Sequence, residues 1–302
     1  MKQNHFDVII IGGSYSGLSA AMSLGRALRQ VLVIDSGLPC NRQTPHSHNF
    51  ITQDGEKPAV ISAKAKLQVE YYNSVQFYSG LATAAIRTQN GFEITTESGK
   101  VFTAKKILFA TGVKDLLPEI PGLAECWGIS VIHCPYCHGY EVKEQKTAII
   151  ANGAMGFEYA KMISNWTKDL RILTNGKSTL SSEEIQILKQ HNIQVVESEI
   201  NAVEHVKGNI KQIVFKDQSK MEIEAVYFRP PFEQHCSLIE SLGCELTEQG
   251  LVKVDLMQKT SVSNVFASGD NCIQARSVAM AVSSGSFAGA AINKELIDAE
   301  FV

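Results

Sequence analysis

The sequence predicts an α/β chain of two Rossmann-like, three-layer units, and three observations carry that prediction. An apolar run ends in a glycine turn and leads through a helix-period segment to a second apolar run closed by an acid. The same order returns in the second half of the chain. Apolar residues make up 44% of 302 positions, enough to bury a core in each of about two domains.

Residues 6–11 read as a buried strand, and Gly12-Gly13-Ser14-Tyr15-Ser16-Gly17 follows directly. Leu18, Ala21, Met22, Leu24, Ala27 and Leu28 then recur at helical spacing, and Val31-Leu32-Val33-Ile34-Asp35 makes a second strand ending in a carboxylate. Strand, glycine turn, helix, strand and acid is the order of a dinucleotide site. Gly12 permits the tight turn, Gly17 lets helix and strand pack closely, and the helix start offers free N–H groups to a pyrophosphate. Asp35 stands where a carboxylate accepts hydrogen bonds from ribose hydroxyls. Ser14 replaces the usual middle glycine, so the closest backbone approach carries a side chain. A glycine turn without a ligand is the competing reading, and the complete βαβ context argues against it.

Residues 39–58 form a polar loop holding Cys40, Asn41, Arg42, His46, His48 and Asn49, side chains that in such loops usually face water. A helix is expected over 58–72. Residues 75–102 alternate apolar and polar around Gln89-Asn90-Gly91 and Ser98-Gly99, which predicts a small antiparallel meander. Residues 106–109 return a buried strand to the turn Ala110-Thr111-Gly112, and a domain boundary is expected near Val113, before a linker over 118–122.

Cys134-Pro135-Tyr136-Cys137-His138-Gly139-Tyr140-Glu141 lies near the middle. Two thiols two residues apart can close into a disulfide within one turn. The proline suits a first helical turn, whose partial positive charge favours the nucleophilic thiolate. Half a zinc site, with His133 and His138, is the alternative. However, Cys126, Cys236, Cys244 and Cys272 supply no second C-x-x-C, so no metal is expected. Two inert buried cysteines remain possible on the motif alone.

The nucleotide pattern then repeats, with strands over 147–150 and 170–173, the turn Ala151-Asn152-Gly153-Ala154-Met155-Gly156, and a helix over 157–166. Aligned on Gly17 and Gly156, Ala151 replaces the first turn glycine and Thr174 replaces Asp35. Thr174-Asn175-Gly176-Lys177 offers neither a ribose-binding acid nor paired arginines for a 2′-phosphate, so a purely structural βαβ unit is a serious alternative. A helix over 183–191 and strands over 193–228, broken at Gly208-Asn209, come next. Arg229-Pro230-Pro231 marks a second crossing. Val265-Phe266-Ala267-Ser268-Gly269-Asp270 leads into a helix over 275–297 rich in small residues, which packs close to a flat ligand or simply into a tight core.

A net charge of −3 and no lysine or arginine run exclude a nucleic-acid field. Val8-Ile9-Ile10-Ile11 is too short for a membrane span or a signal core, so a cytoplasmic protein is expected. Seven cysteines at irregular spacings do not resemble a secreted disulfide framework.

Taken together, the first glycine turn, Ala110-Thr111-Gly112, the central C-x-x-C, the second nucleotide unit and Gly269-Asp270 resemble the low-molecular-weight thioredoxin reductases, FAD-dependent pyridine nucleotide-disulfide oxidoreductases, over essentially the whole chain. The resemblance implies a discontinuous FAD-binding domain, 1–113 and 236–302, and an inserted NAD(P)-type domain, 114–235, carrying the disulfide. FAD would lie over Gly12, Gly13, Ser14 and Gly17, with its ribose on Asp35 and its ribityl chain near Asp270. Asn49, Thr111, Gly112, Gly269, Val278 and Ala279 would complete the flavin site. Cys134 would attack the substrate and Cys137 face the flavin.

Members of that family pass electrons from NADPH through FAD and the disulfide to a thioredoxin-like protein, and commonly form homodimers. Three positions depart from the pattern: His138 where an aspartate is typical, no arginines around 174–178, and Ser277-Val278-Ala279 where Arg-Gln-Ala is usual. The C-x-x-C-His-Gly-Tyr-Glu run, with His48-Asn49-Phe50-Ile51-Thr52-Gln53-Asp54-Gly55, is similar to the branch that includes gliotoxin-type dithiol oxidases, which pass electrons from a small dithiol through FAD to oxygen. A histidine with an ordinary pKa near ~6.5 accepts a thiol proton at neutral pH, so His138 is the expected acid/base beside Cys134 and Cys137. Three functions are consistent with these residues: a thiol-disulfide reductase using NAD(P)H or another donor, a dithiol oxidase, or a flavin-bound redox sensor. A flavin monooxygenase leaves C-x-x-C unexplained. The partner is a thioredoxin-like protein or a small dithiol.

Overall fold

Val8, Ile9 and Ile10 in β1 (His5–Ile11) have no exposed surface, the burial expected of a central parallel strand covered on both faces. The computed structural model describes residues 4–301, and they separate into two compact units. One holds the chain up to Arg42, Glu56–Lys114, and everything from Phe232 on; the other holds Gln43–Gly55 and Asp115–Pro231. The sequence reading assigns Gln43–Gly55 to the first domain, whereas their contacts lie in the second unit.

With elements numbered along the chain, the first unit contains β1, α1 (Tyr15–Arg26), β2 (Val31–Asp35), α2 (Pro58–Glu70), β3 (Val75–Ser79), β4 (Ala82–Thr88), β5 (Gly91–Thr96) and β6 (Val101–Phe109). A short β7 (Val113–Asp115) pairs with β16 (Phe232–Gln234), and α7 (Leu238–Ser241), β17 (Val265–Ala267) and α8 (Val278–Glu300) complete this part. Its sheet runs β3-β2-β1-β6-β5-β4. β1 pairs in parallel with β2 and β6, bringing Ile11 beside both Ile34 and Phe109. The early half of β6 pairs antiparallel with β5, and its last residues, Ile107 to Phe109, pair in parallel with β17. One strand thus serves two partners in succession along the same edge.

The expected meander over 75–102 is only partly present. β3 joins the main sheet in parallel with β2, and the antiparallel part begins at β4. Strand alternation divides the core. Val8, Ile10, Val31, Val33 and Leu108 pack with α1 and α8, whereas Ile9, Ile11, Leu32, Ile34 and Phe109 pack with Phe92, Ile94, Leu238 and Ile239. Three layers result.

In the second unit, α3 (Leu123–Cys126), β8 (Val131–Ile132) and α4 (Pro135–His138) precede β9 (Thr147–Ile150), α5 (Gly153–Ile163), β10 (Leu170–Leu173) and α6 (Ser182–Gln190). β11 (Gln194–Val196), β12 (Ile200–Val206), β13 (Asn209–Phe215), β14 (Lys220–Glu222) and β15 (Ala225–Phe228) follow. A parallel sheet of order β11-β10-β9-β15-β8 carries α5 and α6 on one face. Ile200, Val203, Ile213 and Phe215, from the antiparallel β12-β13-β14, pack on the other.

Candidate active site

The turn after β1 is held too tightly for side chains. Gly12 has φ +105°, and a Cβ there would lie 2.3 Å from the Ala110 carbonyl oxygen; a Cβ on Gly17 would lie 1.9 Å from the Gly12 carbonyl oxygen. Ser14 caps α1 by backbone geometry alone, with no side-chain hydrogen bond to the first turn. The N–H groups that open α1 therefore have no competing side-chain acceptor. Asp35 ends β2 beside this turn and accepts the Gly13 N–H at 3.0 Å.

Behind the turn, α8 presses on α1. A Cβ on Gly285 would lie 2.1 Å from the Ser16 carbonyl oxygen, and the Ser19 hydroxyl donates to Val282 O at 2.7 Å. The small residues of α8 serve helix packing, one of the two readings of that stretch. Ser16 and Ser268 hydroxyls meet at 2.6 Å, the Gly269 N–H donates to Ser284 at 3.0 Å, and Asp270 lies 3.6 Å from Arg276. Ser277 caps α8 by accepting from the Met280 N–H at 3.2 Å, leaving Val278 half-buried and Ala279 exposed at its first turn. Thr111 and Gly112, at φ +64°, follow β6, and the Thr111 hydroxyl is buried without a hydrogen-bond partner among the described residues. Buried polar groups seldom stay unpaired, so this hydroxyl points to a group bound at the turn. A cradle closed to any Cβ, an uncapped helix start and an unpaired hydroxyl fit the pyrophosphate and ribose of a dinucleotide such as FAD.

The corresponding turn in the second unit is built differently. Asn152 Oδ1 accepts from the Gly153 N–H at 2.8 Å, the Thr179 N–H at 2.8 Å and the Thr179 hydroxyl at 3.1 Å, while its Nδ2 donates to Lys177 O at 2.9 Å. Glu197 accepts the Ser178 N–H at 2.8 Å. Thr174 donates to Gly176 O at 2.6 Å, and Asn175 accepts the Ile200 N–H at 2.7 Å. The Gly153 N–H at the helix start, and the Ser178 and Thr179 N–H groups of the neighbouring loop, are bound to the protein's own side chains. A Cβ on Gly156 would meet nothing nearer than 3.3 Å, so the turn is also looser. A pyridine nucleotide at this turn would compete with these bonds.

Cys134 and Cys137 are joined by a disulfide, with Cα atoms 5.3 Å apart. Cys134 caps α4 and Pro135 begins it, but α4 is one turn, ended by the Gly139 N–H donating to Pro135 O at 2.7 Å. The helix-end field expected from the sequence is therefore that of a single turn. Tyr136 stands edge-on to Trp166, with ring centroids 5.6 Å apart. His133 stacks on Trp127 at 5.9 Å, the packing role. His138 lies edge-on to His48, with centroids 6.3 Å apart, and burial together with the neighbouring His48 lowers its pKa to about 4. Asn49 sits beside His48 in the same loop at φ +58°, its N–H donating to Asp54 at 2.7 Å. The other cysteines are dispersed, and burial raises the Cys126 thiol to about 11 and Cys272, beside Asp270, to about 12. Among the described residues, no group of three or more His, Cys, Asp or Glu is arranged to hold a metal ion.

The sequence profile of the pyridine nucleotide-disulphide oxidoreductases matches residues 6–285. The chain belongs to this family. It is 31% identical to the thioredoxin reductase tcpT of Claviceps purpurea, over 97% of this chain and 95% of that one, and 28% identical to the thioredoxin reductase sirT of Leptosphaeria maculans, over 98% and 95%. The crystal structure of an oxidoreductase from Agrobacterium tumefaciens superimposes with a TM-score of 0.91 at 37% identity, covering 97% of this chain and 99% of the other. The protein is an FAD-dependent, thioredoxin reductase-like disulfide oxidoreductase.

Several residues of this oxidoreductase escape a reading by motif. Asn271 is fully buried and donates from Nδ2 to Phe109 O at 2.9 Å, tying the Gly269-Asp270 turn to the end of β6. Asn152, Glu197 and Ser268 are equally silent. Their partners lie 22 or more residues away, except Gly153 beside Asn152 and Ser178, 19 residues from Glu197.

Proposed function

We propose that Cys134 and Cys137 exchange electrons with FAD and with a dithiol substrate, either a small molecule or a thioredoxin-like protein. The observation that carries this reading is the closed Cys134–Cys137 disulfide followed at once by a half-buried, neutral His138. A substrate thiolate attacks the sulfur of Cys134, Cys137 leaves as thiolate, and the second substrate thiol displaces Cys134. The substrate loses two electrons and two protons; the cysteine pair gains both. His138 receives a proton from the thiol that must ionise and returns it to the departing sulfur. FAD, when bound, supplies the two-electron acceptor for the reduced pair. Gly12, Gly13, Ser14 and Gly17 would hold its pyrophosphate, Asp35 its ribose, and Asp270 its ribityl chain. Asn49, Thr111, Gly112, Gly269, Val278 and Ala279 would line the remainder. A homodimer in the cytoplasm belongs to the same reading; among the described residues, no helix is long and apolar enough to cross a membrane.

The bonded donors around Asn152 and Glu197 favour a second step in which oxygen, rather than a nicotinamide, exchanges electrons with the flavin. Anaerobic addition of NADPH, NADH or a dithiol, followed by flavin absorbance, separates the directions. Bleaching by dithiol alone, reversed by air, is the expected result. Rapid bleaching by NADPH or NADH would instead make the protein a reductase, and no bleaching by any of the three would remove the proposal.

A further inference from the structure

Gln43–Gly55 is a thirteen-residue excursion that the sequence places between two elements of the first unit, yet it packs in the second. Its backbone is fixed by its own bonds: the Gly55 N–H donates to Ser47 O at 2.9 Å, His46 Nδ1 meets Gly55 O at 2.9 Å, and Gln53 donates to Phe50 O at 2.9 Å. Asn49 and Thr52 hold left-handed φ values of +58° and +72°, conformations uncommon outside glycine. The ring this loop presents is His48. Its side chain is 19% exposed, and its Nδ1 lies 3.5 Å from the Glu141 carboxylate and 3.7 Å from that of Asp54. The opposite neighbour is His138, perpendicular at 6.3 Å.

Groups facing this pair come from three places. The loop supplies His46, whose ring centroid is 6.4 Å from that of His48, and Asp54. The segment after the disulfide supplies His138 and Glu141. The buried hydroxyl of Tyr227 on β15 feels Glu141, and its pKa is pushed far up by burial, by Tyr159 and by that carboxylate, so it stays protonated.

Resting on the dithiol reading of the cysteine pair, we propose that His48 is a positioning residue for the Cys134–Cys137 reaction: seated by Glu141 and Asp54, it packs edge-on against His138, the residue after Cys137, and keeps that ring available as a proton acceptor. A histidine that is already protonated takes no proton from a thiol. Burial, and after it the neighbouring His48 ring, keep His138 uncharged well below neutral pH. The 43–55 loop thereby extends the pH range over which the thiol can be deprotonated. The proton accounting is unchanged: one proton passes from a thiol to His138 and returns to sulfur or to water, and the electron pair follows the route through FAD.

The test uses the full-length flavoprotein and a small dithiol, dithiothreitol, with flavin bleaching followed anaerobically from pH 5 to 8. The His138 ring is titrated in parallel by NMR. His48→Ala and His48→Gln should both raise the midpoint of His138 by a unit or more and move the acid limb of the bleaching-rate profile up by the same interval, about halving the rate at pH 5, with the half-saturating dithiol concentration unchanged. His48→Lys, which places a positive charge beside His138, should hold the midpoint as low as in the wild type. An unmoved midpoint in His48→Ala, or His48→Gln behaving as wild type, would overturn the role. A wild-type protein that dithiothreitol does not bleach would sink the dithiol reading instead, while the NMR titration would still decide whether His48 acts on His138.

Discussion

The two glycine turns, after β1 and after β9, share one plan and have opposite surroundings. In the first, Gly17 lies against Gly12 with no room for a methyl group, and no side chain caps the helix beyond it. In the second, a Cβ on Gly156 would sit 3.3 Å from Ala151, close but without overlap, and Asn152 bonds both the helix start and the 177–179 loop. On the proposed reading, nucleotide binding depends on which backbone donors a turn leaves available, and the βαβ path by itself decides little. The second unit keeps its fold because its strands and helices bury apolar faces, independent of any ligand.

The largest test of that contrast is a pair of substitutions. Gly17→Val should abolish FAD retention, because its Cβ would overlap the Gly12 carbonyl; Gly156→Ala should keep a full flavin spectrum and shift Tm by a few degrees at most. Flavin-to-protein absorbance ratios and circular dichroism read both. Equal loss of flavin in the two proteins would break the comparison.

A second test asks whether the distinctive chemistry of the second unit has moved to its cysteine turn. His138 has a pKa of about 4 in the folded protein against an ordinary value of 6.5, so the unfolded chain binds more protons between those values. Its contribution is complete above pH 6.5 and declines as pH falls toward 4, by about 3 kcal/mol at ~1.4 kcal/mol per unit. Urea unfolding of wild type and His138→Gln across that range should show the wild type losing that much more. Parallel curves would remove the buried-histidine account.

Smaller effects sharpen the contrast at the acid and at the cap. Asp35→Asn weakens a charge-assisted bond from Gly13 and should cost about 1.5–3 kcal/mol in flavin affinity, roughly a ten- to hundredfold rise in Kd by fluorescence titration. Asn152→Ala removes a helix cap worth about 1 kcal/mol. If its carbonyl oxygen is what blocks the turn, this variant should bind NADPH more tightly than the wild type by calorimetry.

The βαβ units were legible because 6–35 and 147–173 write their strands as mainly apolar runs, broken only by single polar residues such as Asp7 and Arg171, with a glycine turn and a helix-period segment between them. Val75–Ser79 was harder: the apolar–polar–apolar order of Val75-Gln76-Phe77 suits an antiparallel edge as well as the parallel place beside β2 that it takes. The sequence of α4 signals a helix start but not a single turn, since the chain path beyond Gly139 is set by contact with Trp166. The cysteine pair and the first turn were readable as local motifs. His48 was not, because the contact that gives it meaning joins residues 90 positions apart (138 − 48) and no spacing rule reaches that far. Asn152 hid for the opposite reason: in an eroded motif an asparagine after Ala151 looks like a neutral turn residue until Thr179 is seen beside it.

The interlock of Gly285 with Ser16, and of Val282 with Ser19, joins residues more than 260 positions apart. A ribosome releases the first strand and its glycine turn early, yet the helix that backs them and the strand that finishes β6 emerge last. Most of the second unit can collapse while the first still waits for its closing pieces. The flavin cradle is consequently assembled at the end of synthesis, and a nascent chain stalled before residue 265 would carry a sulfur centre without a finished place for its cofactor.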